Sequence, residues 1–104
     1  MENENEIEEN VRKKVDYVFD EGKYLKEIWD AIDSTYISHY AQNKIQSTEF
    51  IADAGHGEGF CIGNIIKYAQ RYGKKGGFNR NDLTKVAHYA VSYTHLTLPT
   101  NREV

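Results

Sequence analysis

Residues 60–90 read FCIGNIIKYAQRYGKKGGFNRNDLTKVAHYA, and this stretch decides the fold class. Ile62, Ile65, Ile66 and Ala69 share one side of a helix turned about 100° per residue. Asn64, Lys67, Tyr68, Arg71 and Lys75 share the other side. Gly73 stops the helix, and Lys74, Lys75, Gly76 and Gly77 form a turn. Asn79 or Asn81 then caps a last helix that has Asp82 in its first turn. Leu83, Val86, Ala87 and Ala90 carry its apolar face. The spacing predicts two helices separated by a glycine-rich turn.

Upstream the pattern stays helical. Phe50 and Ile51 are the inward residues of a helix over 45–54, ended by Gly55, and Gly55, Gly57 and Gly59 form a loop around His56 and Glu58. Leu25, Ile28, Trp29 and Ile32 make a stripe over 23–35, with Ser38, His39 and Tyr40 as its exit. Val11, Val15, Val18 and Phe19 predict a first helix ending near Glu21-Gly22. The expectation is an all-α fold, one small domain of four or five helices. Residues 1–22 form an acidic N-terminal helical segment and residues 23–90 the main helical domain.

Residues 91–104, VSYTHLTLPTNREV, break that pattern and contain the only proline, Pro99. Residues 91–100 back-translate to transposase-adapter sequence read in one frame. This predicts a non-native tail from a translated sequencing adapter on an environmental assembly. On that reading the true C-terminus is missing and the last helix is truncated.

The chain has 104 residues and a formal net charge of −3. That balance argues against general nucleic-acid coating, but the charge is unevenly spread. Residues 1–10 hold Glu2, Glu4, Glu6, Glu8 and Glu9 with no cation. Residues 61–90 hold Lys67, Arg71, Lys74, Lys75, Arg80 and Lys85 against the single acid Asp82. The lone cysteine, Cys61, excludes an intrachain disulfide, and the apolar residue before it and stripe after it predict a buried, inert thiol. The acidic N-terminus is unlike a signal peptide, and no apolar run is long enough to span a membrane. The expected location is the cytoplasm.

The basic face gives the leading site. Lys67 and Arg71 are four apart and emerge together. Lys74 and Lys75 follow in a turn whose backbone N–H groups can face an anion. Arg71 has the fork geometry to grip phosphate. A solvated cationic face is the bland alternative. Glu49 and Asp53, also four apart, form the metal candidate, with Glu58 and Asp82 weaker ones. His39 and Tyr40 are candidate base contacts, against a packing and capping role. Asp82 either pairs with Lys85 or leaves Lys85 to join Lys67 and Arg71 across a helix interface. His56 and His88 are titratable, but only residue type supports a proton-transfer role.

The pattern G-N-I-I-K-Y-x-x-R-Y-G-K-K-G-G, followed by N-R-x-D-L-x-K-x-x-H-Y, resembles a small phage-borne domain family. Its members are often described as nucleotide kinase or SaV-like, and many are of unknown function. His39-Tyr40, the I-Q-x-x-E-F-I-x-D segment at 45–53 and W-x-x-I-D-S-T-Y at 29–36 extend the resemblance over residues 29–90. Gln46 departs from the acid that many members carry. Gly63, Asn64, Lys67, Tyr68, Arg71, Gly73, Asp82, Leu83, Lys85 and Tyr89 fall on recurring positions. The resemblance carries no established catalytic assignment.

It implies a phage-encoded nucleotide-binding protein in the host cytoplasm, acting on nucleotide metabolism as a nucleoside monophosphate kinase. No G-x-x-x-x-G-K-[ST] phosphate loop is present, so Asn64, Lys67, Tyr68, Arg71, Lys74, Lys75 and Lys85 would supply the phosphate cradle. A kinase would use ATP with Mg²⁺, held in part by Glu49 and Asp53. The alternative is a non-enzymatic adaptor whose basic face binds nucleic acid or a host protein. The many tyrosines for so small a core predict a homo-oligomer.

Overall fold

The computed structural model describes residues 15–42 and 47–98. Four helices form one small all-α domain, and no strand occurs among the described residues. They are α1 (Glu21–Ala41), α2 (Ser47–Asp53), α3 (Gly57–Arg71) and α4 (Arg80–Thr97).

The hairpin of α3 and α4 is the body of the fold and makes most of its tertiary contacts. Its turn needs backbone that only glycine adopts cheaply. Gly73, Gly76 and Gly77 all have positive φ. The Gly73 N–H donates to the Gly77 carbonyl at 2.9 Å, and the Lys74 N–H to the Arg71 carbonyl at 2.9 Å. The Phe78 ring folds over Gly73, 2.8 Å from where a Cβ would stand, and meets the Tyr72 ring edge-on at 5.4 Å. Asn79 then caps α4, its side-chain oxygen accepting from the Asn81 N–H at 3.0 Å.

The face of α3 that packs differs from the apolar stripe. Cys61 is buried, and Asn64, Ile65, Tyr68, Arg71 and Tyr72 are half-buried, whereas Ile62, Ile66 and Ala69 are exposed. The reason lies in what α4 presents. It offers Asp82 to Arg71, the Tyr89 ring to Tyr68 and Phe60, and the Tyr93 hydroxyl to Glu58, so the partnered face of α3 is the one carrying these residues. Cys61 is the only fully buried apolar side chain among the described residues, and burial raises its thiol pKa, as an inert cysteine requires.

Three boundaries depart from the sequence pattern. Residues 15–20 are not helical. Asp20 has φ +55° and the Glu21 carboxylate accepts the Phe19 N–H at 2.7 Å, so a turn ends at Glu21 and α1 begins there. Residues 11–14 of the expected first helix lie outside the described residues. Helix α1 runs straight through Ser38 and His39 to Ala41, because a Ser-His pair does not stop a helix without glycine or proline. Helix α4 continues past Ala90 to Thr97, where Leu96 packs on Gly57 and the Tyr93 hydroxyl donates to Glu58 at 3.2 Å.

Helix α1 is fastened to the start of α4 through Arg80. Its guanidinium bonds Glu27 at 3.2 Å and lies 5.8 Å from the Tyr24 ring centroid. Further along α1, Tyr36 approaches His88 at 6.3 Å between ring centroids. The short α2 packs on α3 at the corner closed by Gly57, where an added Cβ would stand 3.1 Å from Ala52 Cα.

Candidate functional site

Two neighbouring features collect the chemistry-bearing side chains. The first is centred on Tyr68. Lys67 precedes it on α3, and the helix register brings Lys85 to it from α4. Their ammonium groups lie 5.1 and 5.3 Å from the Tyr68 ring centroid. Both distances are within cation–π range, worth about 0.5–1 kcal/mol each at exposed sites. Tyr68 stacks on Tyr89 at 6.2 Å and 8°, and Tyr89 meets Phe60 edge-on at 5.6 Å. Neither lysine has a carboxylate partner among the described residues. The fold thus brings two cations to one aromatic ring without an acid to offset them, an arrangement that favours an anion.

Arg71 has a different role from the one its spacing suggests. Its Nε lies 3.5 Å from Oδ1 of Asp82, whose residue exposure is only 3%. Asp82 therefore pairs with Arg71 and not with Lys85. The pair fixes the end of α3 to the start of α4, one turn away from Lys67 and Lys85. The Asn64 amide is turned back onto its own helix, donating to the Phe60 carbonyl at 2.9 Å. Lys74 and Lys75 are exposed in the turn, and two of the turn's N–H groups already donate to carbonyls.

The second feature is a groove of about 700 Å³ between α1, α2 and α4. Tyr36 and His39 line it from α1, Thr48 and Glu49 from α2, and Lys85, His88 and Tyr89 from α4. Burial and then the Lys85 charge hold the His88 pKa below its ordinary value, so the imidazole is neutral at pH 7. Burial, then Tyr68, pushes the Tyr89 phenol upward. His39 Nδ1 is enclosed with no hydrogen-bond partner among the described residues. The side chain of Tyr40 lies outside what the structure describes.

Glu49 is on the groove wall, while Asp53 is exposed and not on it. Among the described residues no cluster of three or more His, Cys, Asp or Glu side chains has the disposition to hold a metal. Glu49 and Asp53 therefore do not line one common cavity, and a Mg²⁺ ion would need substrate phosphates and water for most of its ligands. His56 and Glu58 line a separate, shallow depression beside Gly55 and Gly59. No helix among the described residues is long and apolar enough to cross a membrane.

Tyr36, Thr48, His88, Tyr89 and His95 are among the groove residues that the sequence did not single out as ligand contacts. Tyr36 lies three residues before His39 and four before Tyr40, on one helical face once α1 is known to continue.

A protein family of unknown function, DUF3310, matches residues 34–91. The chain belongs to the DUF3310 family. The DUF3310 segment contains the Tyr68 cluster, the Arg71–Asp82 pair, α2 and the groove residues Tyr36, His39, Glu49, Lys85, His88 and Tyr89. No curated protein and no solved structure matches the chain.

Proposed function

We propose that this chain is a phage-encoded nucleotide-binding protein whose Lys67 and Lys85 bind the phosphate of a mononucleotide. One observation carries the reading: two ammonium groups from different helices converge on the Tyr68 ring with no acid partner among the described residues. A phosphate monoester carries about −1.5 to −2 charge at neutral pH, which two lysines match. Lys74 and Lys75 add positive potential along the same hairpin and draw the anion in. The resemblance to nucleotide kinase-like phage proteins extends the reading to phosphoryl transfer from ATP. In that chemistry the lysines would neutralise charge on the transferred group. A kinase would also need Mg²⁺, held mainly by the nucleotide's own phosphates and water.

Calorimetric titration of the full chain with dTMP, dGMP, AMP and ATP, with and without Mg²⁺, tests it. Micromolar binding of at least one nucleotide is expected. Lys67→Ala with Lys85→Ala should weaken it at least tenfold, each lost charge-assisted contact being worth about 1.5–3 kcal/mol. A folded protein that binds none of them refutes the nucleotide reading. Binding of oligonucleotides instead, falling steeply with salt, would favour an adaptor that reads a phosphate backbone. A coupled assay for ADP release, run on the nucleotide that binds, then decides whether the protein is a kinase.

A further inference from the structure

We infer that the groove between α1, α2 and α4 holds the base of that nucleotide, stacked against Tyr36 and His88. This rests on the nucleotide reading above and assigns the other half of the ligand.

Connectivity is the first support. Lys85 and Tyr89 belong to both features. Lys85 reaches the Tyr68 ring and also lines the groove, and Tyr89 stacks on Tyr68 while forming groove wall. A phosphate held at Lys67 and Lys85 therefore has its sugar and base delivered along Lys85 into the cavity. Size is the second. The groove measures about 700 Å³, with Val91, Ser92, His95 and Leu96 of the 91–104 segment forming part of its wall, and this falls within the range of about 300–1,000 Å³ typical of small-molecule sites.

The third support is chemical. The rings of Tyr36 and His88 come from different helices and lie side by side on the groove wall, their centroids 6.3 Å apart and tilted by 36°. His88 is followed by Tyr89 at 6.3 Å and 29°. Aromatic faces of this kind stack on any base, because every base has a π-face. The neutral state of His88, set by burial and Lys85, leaves its ring able both to donate and to accept. Glu49 on the α2 wall repels phosphate and accepts N–H donors, so the ligand's polarity is fixed, with phosphate toward the lysines and base edge toward Glu49. The enclosed His39 Nδ1 leaves one unmet hydrogen bond in the same wall, a demand that a base edge can satisfy after a small rotation of the ring.

The test compares ribose 5-phosphate with dTMP, dGMP and AMP on the full chain by calorimetry. Stacking worth about 1–3 kcal/mol per base makes the preferred nucleotide bind about five- to 150-fold tighter than ribose 5-phosphate. Tyr36→Ala should lower that ratio at least threefold and leave ribose 5-phosphate binding unchanged, while Tyr36→Phe keeps the ratio. His88→Gln, which keeps a neutral polar side chain but removes the ring, should lower it as well. Equal affinity for ribose 5-phosphate and every nucleotide overturns the base pocket and leaves the lysine site standing. A Tyr36→Ala variant that weakens both ligands equally also overturns it. Binding of a nucleoside without phosphate, unaffected by the lysine substitutions, supports the pocket and overturns the lysine site. Binding of nothing overturns both.

Discussion

The α3–α4 hairpin and helix α1 are held by different means. The hairpin joins through an ion pair, ring stacking and close packing: the Arg71–Asp82 pair, the Tyr68–Tyr89 stack, and the approach of Leu96 that glycine allows at position 57. Helix α1 carries more obvious apolar residues, yet Leu25, Trp29 and Ile37 are all exposed, Trp29 to 63%. It attaches through Arg80 at one end and through half-buried Ile28, Ala31 and Ile32 along its length. The contrast teaches that hydrophobicity does not by itself say which helices pack. Complementary shape and paired charge built the tight interface, and the looser one leaves room for a cavity.

The comparison breaks most visibly at Asp82. Asp82→Ala would leave the Arg71 guanidinium facing an apolar gap. Breaking a buried pair costs about 3–5 kcal/mol, and the 32% exposure of the Arg71 side chain reduces that to about 2 kcal/mol. Urea unfolding should show the loss as a lower midpoint. An unchanged midpoint would mean the hairpin does not depend on the pair.

His88 sharpens the comparison, since it stands where the two regions meet. Its folded pKa lies below the unfolded value, so the unfolded chain binds the extra proton. The neutral ring therefore contributes stability that is fully present above the unfolded pKa, near 6.5, and is lost as pH falls through the lower folded pKa. Thermal melts of wild type and His88→Gln between pH 7.5 and about pH 5 should diverge. The wild type should lose more stability on acidification, and equal losses would count against a buried neutral His88.

The smallest effect is expected on the outer side of α1. Trp29→Lys should change stability by less than about 0.5 kcal/mol in a monomer, as for other surface substitutions. A loss above about 1 kcal/mol, appearing only at high protein concentration, would instead show that a second copy covers this face, as the tyrosine content suggests.

The class of fold was legible in the sequence because helical spacing recurs from Leu25 to Ala90 and the glycines at 73, 76 and 77 mark a turn. The cap of α4 was legible only as a choice between Asn79 and Asn81, and the structure selects Asn79. The packed face of α3 was not. Ile62, Ile65, Ile66 and Ala69 form the stronger apolar pattern, and only the partner helix determines that Cys61, Tyr68 and Arg71 turn inward. The convergence of Lys67 and Lys85 stood as one of two alternatives for Lys85, and choosing between them required knowing that Asp82 is engaged by Arg71. The groove was invisible for a different reason. Ser38-His39 reads as a helix end, which removed Tyr36 and His39 from the face they share. Residues 15–20 misled in the opposite direction, since Val15, Val18 and Phe19 mimic a helical stripe that Asp20 interrupts with its positive φ.

The hairpin joins elements that are neighbours in the chain, and the glycine turn lets them meet after closing only a short loop. Local contacts of this kind form early when a chain folds, whereas α1 must return across α2 and α3 to reach α4. The groove is therefore expected to be completed by the late step. A ligand bound between α1 and α4 would act mainly on how slowly the native state opens, and little on how fast it forms. On the reading proposed above, occupancy of the groove would be a matter of kinetic lifetime as well as of affinity.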